Sequence, residues 1–118
     1  MQDFRNLDVW KKSHELTLEV YRTTRAFPDD ERFGLTSQLR RSAASIPANL
    51  GEGCGRGSDA DFGRFAQLAM GSSSEVEYHL LLSRDLAYLN IETYALLNDE
   101  ITRIKRMITA LIRKLRGS

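Results

Sequence analysis

The sequence predicts an all-α protein, an antiparallel up-down-up-down four-helix bundle. Three observations carry this. Apolar residues recur at three- and four-residue steps through four long stretches, which is the period of one helix face. The breaks between the stretches are short and carry proline, glycine, aspartate or asparagine, the residues that stop and start helices. No stretch sustains the period-two alternation of a strand. Short connections place consecutive helices antiparallel. The 118 residues, 42% hydrophobic and 28% charged, suit one domain spanning residues 1–118. A domain of this size buries roughly two thirds of its unfolded surface, so it needs neither disulfide nor metal to fold.

The first helix is expected over about Leu7 to Phe27. Val9, Ser13, Leu16, Val20 and Phe27 make one apolar line, and Trp10, His14, Leu18 and Tyr21 make a second beside it. That face is wider than a single packing stripe requires. Pro28 and the acidic run after it end the helix. The second helix starts near Glu31 to Gly34, with Leu35, Leu39, Ala43, Ile46 and Leu50 as its stripe. Pro47 lies inside that stripe, so the helix is expected to bend there and persist. The third has Ser58 as N-cap and Asp61 three residues on, with a stripe through Phe62, Phe65, Ala69, Ser72, Val76 and Leu80 to Leu86 and Leu89. Gly71, in "GSSSE", is read as marking close helix contact. The fourth follows Asn90 as N-cap, with Leu97, Ile101, Ile104, Ile108, Leu111 and Leu115 as its stripe.

The stretches "DVWKKSHELTLEVYRTTRAFPDDERFGLTSQLRRSAASIPANLGEG" and "FGRFAQLAMGSSSEVEYHLLLSRDLAYL" resemble the two halves of the bacterial 23S rRNA intervening-sequence protein family. The resemblance covers nearly the whole chain. It implies a four-helix bundle, a ring-shaped homopentamer, and no established biochemical activity. A related branch, the accessory variability protein of diversity-generating retroelements, is basic, binds nucleic acid and partners a reverse transcriptase. The net charge of +1 here departs from that character.

Site chemistry is mostly excluded. The segment "SIPANLGEGCGRG" has glycine at positions 51, 53, 55 and 57, but no lysine completes a Walker loop. Arg56 stands where a dinucleotide fingerprint needs its third glycine, and no strand precedes it. The segment reads as a helix end and connector, with an anion held by Arg56 and the start of the third helix as the alternative. Cys54 is the one cysteine, so no internal disulfide forms, which fits a reducing cytoplasm. Neither His14 nor His79 has a glutamate three residues before it, so the di-iron bundle pattern fails twice. No cofactor or metal is expected. No apolar run reaches the ~20 residues of a membrane span, and the N-terminus lacks the apolar core of a secretion signal.

Two features remain. Arg40 and Arg41 sit beside small residues and are read as a network with neighbours such as Glu75 or Glu77, or else as an anion or RNA contact. Arg103, Lys105, Arg106, Arg113, Lys114 and Arg116 make the last helix basic. The leading reading is a non-enzymatic protein whose property is self-assembly. Trp10, Tyr21, Ala44, Ala48, Gly71, Ser73, Met107 and Ile112 are its candidate interface. The alternative is a nucleic-acid-binding accessory protein using Arg40, Arg41, Arg56, Arg103, Arg106 and Arg113 around a homopentameric ring.

Overall fold

All four predicted stretches are helices in the computed structural model, which describes residues 3–117. They are α1 (Asp8–Thr24), α2 (Leu35–Cys54), α3 (Asp59–Asp85) and α4 (Ile91–Gly117). Short 3-10 turns at Phe4–Asn6 and Asp29–Glu31 precede α1 and α2. No strand occurs among the described residues. α1 packs on α2 and α4, and α3 packs on the same two, so the helices stand at the corners of a bundle. Leu16, Val20, Leu39, Ile46, Leu50, Val76, Leu80, Ile101, Ile104 and Ile108 fill its centre with essentially no exposure.

The caps are local chemistry, and they form where the sequence places them. Ser58 Oγ accepts from Asp61 N at 3.2 Å, and Asn90 Oδ1 accepts from Thr93 N at 2.7 Å. Glu31 Oε1 does the same work for α2, accepting from Leu35 N at 3.1 Å. α3 ends with Tyr88 N donating to Ser83 O and Ala87 N to Arg84 O, both at 2.9 Å. This is the Schellman pattern, and it puts Ala87 at φ 63, a position glycine usually takes.

α1 is shorter than expected, and Phe27 is buried from the connection rather than from the helix. Two stripes shift register. In α3 the buried line runs Ala69, Ser73, Val76, Leu80; Ser72 instead meets Ser45 of α2, and Leu86 is exposed. In α4 Ile112 takes the core position expected of Leu111. Steps of three and four are both compatible with a 3.6-residue turn, so adjacent residues of similar character compete for one place. Ser73 and Ile112 therefore lie inside the bundle and are unavailable to a second chain. Gly71 is exposed, with nothing near the position of an added Cβ. The close approach falls at Gly53 instead, whose added Cβ would stand 2.6 Å from Phe65 Cβ.

α2 runs seven residues past Pro47. Proline cannot donate to the carbonyl four residues back, which belongs to Ala43. Thr17 Oγ1 of α1 approaches that oxygen to 3.1 Å while lying 2.8 Å from Ser13 O in its own helix. A hydroxyl from the neighbouring helix thus replaces the missing backbone donor.

Candidate interaction surface

The first apolar line of α1 enters the core; of the second, Trp10 packs on the edge of the core while His14, Leu18 and Tyr21 are exposed. Trp10 is half-buried, its ring 5.0 Å from Phe4 and stacked on His14 at 5.0 Å and 13°. Leu18 and Tyr21 are each 43% exposed. Tyr21, Trp10 and His14 form one wall of a groove, open to solvent, whose floor is Ala44, Pro47 and Ala48 of α2. At its upper end the groove is lined by Arg32, Phe33, Ser37, Arg40 and Arg41. Phe33 is 89% exposed, with the Arg32 guanidinium 5.6 Å from its ring centre.

Arg40 is not a spare cation. Its Nε donates to Thr24 Oγ1 at 2.8 Å and its Nη2 to Tyr21 O at 3.3 Å, with the guanidinium 4.7 Å over the Tyr21 ring. It ties α2 to the last turn of α1, where the helix dipole favours positive charge. The expected partners lie elsewhere. Glu77 pairs with Lys105 at 3.0 Å, and Glu75 lies 4.0 Å from His79. Arg41 remains exposed on the groove.

The remaining candidates scatter. Arg56 pairs with Glu52 at 2.8 Å and lies over Phe65. Arg103 shares a cleft with Lys12, Glu15 and Glu100. Burial pushes the Glu100 carboxyl up, and Glu19 and Glu15 add to that. Arg106 and Arg113 line the groove between α3 and α4. Met107 packs, half-buried, on the core. So the structure gathers Trp10, Tyr21, Ala44, Ala48, Arg40 and Arg41 on one face. Gly71 is exposed on α3, outside the lining of that groove. Sequence reasoning missed Arg32 and Phe33. The available signal was a large aromatic between arginine and glycine in a polar connection.

One buried constellation has the components of a hydrolase triad without its geometry. Ser42 Oγ lies 3.4 Å from His79 Nδ1, and Glu75 lies 4.0 Å from Nε2. Ser42 Oγ also donates to Leu39 O at 3.2 Å, and both Ser42 and His79 are buried between α2 and α3. With Ser42 only 4% exposed, its hydroxyl offers little surface to an incoming carbonyl. Cys54 is likewise buried, and its thiol is pushed up by burial and then by Asp3, away from the thiolate a nucleophile needs. Among the described residues no group of three or more His, Cys, Asp or Glu is placed to hold a metal ion.

His79 does have a consequence for stability. Burial lowers its pKa below the ordinary 6.5, against an upward pull from Glu75. At high pH the imidazole is neutral in both folded and unfolded chains and contributes nothing. Below about pH 6.5 the unfolded chain takes up a proton that the folded chain resists, so stability falls until the lower folded pKa is passed. Urea unfolding is expected to show a drop in midpoint between about pH 7.5 and 5.5 that shrinks in His79→Gln. An unchanged drop in that variant would assign it to other groups.

The sequence profile of the 23S rRNA-intervening sequence protein family matches residues 5–110. The chain belongs to that family. A solved structure from Bacteroides thetaiotaomicron, described as a protein with unknown function from the S23 ribosomal protein family, is similar to it. The identity is 28%, the match covers 88% of this chain and 97% of that one, and the TM-score is 0.82. Among curated proteins none matches. No helix among the described residues of this family member is long and apolar enough to cross a membrane.

Proposed function

We propose that this family member is a non-enzymatic, self-assembling helical module, and that the α1–α2 face is where copies meet. The observation that carries this is the unused second line of α1. Tyr21 stays in water beside the small residues Ala44 and Ala48, Leu18 is exposed further round α1, and Phe33 stands almost fully exposed at the head of the groove. Contiguous exposed apolar surface of this kind marks interfaces, and a floor of alanines lets another helix approach closely. The resemblance to intervening-sequence proteins supports a closed ring of five.

Light scattering after size exclusion is expected to report about five chains per particle at micromolar concentration, the number the resemblance implies for a closed cyclic ring. Ala48→Arg or Tyr21→Glu is expected to reduce the mass to that of one chain, 13.4 kDa, without loss of helix. A wild-type chain that is monomeric at all concentrations overturns this reading. The alternative, a nucleic-acid accessory role, is favoured by Arg106 and Arg113, which line one groove and make no ion pair among the described residues. RNA affinity that falls steeply with salt and is lost on reversing those two charges would support it.

A further inference from the structure

The α1–α2 groove carries a charge pattern that selects what can lie in it. Its upper end is lined by Arg32, Arg40 and Arg41 and by no carboxylate. Arg40 is committed to α1, whereas Arg32 and Arg41 make no ion pair among the described residues. Two copies meeting groove to groove about a two-fold axis would set these arginines against one another around the exposed Phe33. Like charges brought together while losing water are strongly unfavourable. The groove therefore calls for an apolar surface bearing unneutralised carboxylates.

The same chain carries one. From Ile91 to Thr102, α4 has no basic residue, and its acidic residues are Glu92, Asp99 and Glu100. Leu96 is 66% exposed and Ile91 77%. Glu92 and Asp99 are exposed and make no ion pair among the described residues. Glu100 lies in the adjoining α1–α4 cleft with Glu15, where Lys12 and Arg103 also stand. α1 stands between this surface and the groove, since it packs on α2 and on α4 while α2 and α4 do not meet. The two surfaces are also level. Tyr88, in the connection before α4, donates to Glu31, in the connection before α2, at 2.9 Å.

We infer that the first half of α4 of one copy, presenting Glu92, Leu96 and Asp99, seats in the α1–α2 groove of a second copy, against Arg32, Phe33 and Arg41. This rests on the assembly reading above and adds the face opposite the groove. The contact is heterologous, so each copy gives one surface and receives the other. Leu96 supplies the apolar anchor beside Phe33 and Tyr21, and Glu92 and Asp99 supply charges opposite Arg32 and Arg41.

The test uses two full-length variants, Arg41→Glu and Leu96→Arg, both at surface positions, with circular dichroism confirming wild-type helix content and melting. Each alone is expected to be monomeric by light scattering where the wild type is assembled. Mixed in equal amounts they retain one intact groove and one intact α4 surface, so they are expected to form a one-to-one heterodimer and nothing larger. If the wild type assembles and Leu96→Arg assembles equally well, this inference is overturned while the assembly reading stands. If both variants are monomeric and their mixture stays so, the heterologous pairing is overturned. If the wild type is itself a monomer, the assembly reading fails, and this inference with it.

Discussion

Gly53→Val is expected to lower folding stability by about 3 kcal/mol, from overpacking a contact that cannot yield. Gly53 sits in the last turn of α2, buried against α3. An added Cβ would lie 2.6 Å from Phe65 Cβ, 3.1 Å from Phe62 Cδ1 and 3.4 Å from Phe62 O. The first of these atoms is fixed to the backbone of α3, so no rotamer change relieves it, and valine adds two further carbons. Gly53→Ala separates the opposing terms. Helix propensity returns about 1 kcal/mol, overpacking costs about 1–3 kcal/mol, and a net loss is expected. Gly63→Ala and Gly71→Ala are the controls. Nothing stands near an added Cβ at either, so each is expected to stabilise by about 1 kcal/mol. Urea unfolding of the four variants checks the set, and a Gly53→Ala chain as stable as wild type would remove the close-approach argument.

This also settles what the spaced glycines do. Gly51 and Gly53 lie within α2, the first facing the Phe4 ring and the second against α3. Gly57, at φ 89, turns the chain into α3. The segment is a helix end and a connector, as its lack of lysine and preceding strand implied.

What the sequence revealed was whatever depends on neighbours a few residues away. The helical periods are visible because each turn repeats, and Ser58 and Asn90 because a cap bonds within three residues. Register between near-equivalent neighbours was not visible. Ser72 and Ser73 offer the same chemistry, as do Leu111 and Ile112, and only the facing helix decides between them. Arg40 illustrates the same limit. Its acceptors are the Thr24 hydroxyl and the Tyr21 carbonyl, and a backbone carbonyl has no residue signature. The second apolar line of α1 and the alanines of α2 were legible as surplus, which located half of the groove. Arg32 and Phe33 sit in a connection, where no period calls attention to an exposed aromatic.

The largest effect with no sequence signature concerns Thr17. Removing its hydroxyl is expected to cost about 1–3 kcal/mol, because the Ala43 carbonyl is then left buried and unpaired. Thr17→Val preserves the shape of the side chain, so the loss reports the hydrogen bond rather than a cavity. The Ser13 carbonyl, which shares the same hydroxyl proton at 2.8 Å, keeps its backbone donor within α1. The Ala43 carbonyl has no such reserve while residue 47 is proline. Ala43 itself has no exposed surface. The decisive variant is Pro47→Ala, which restores an N–H able to reach the Ala43 oxygen. In that background Thr17→Val should cost far less, giving a coupling of about 1–2 kcal/mol in a double-mutant cycle. Equal costs in the two backgrounds would mean that the hydroxyl serves α1 alone and that α2 tolerates its proline by some other route. A strong coupling would identify Thr17 as the residue that lets α2 continue past its proline to the close contact at Gly53.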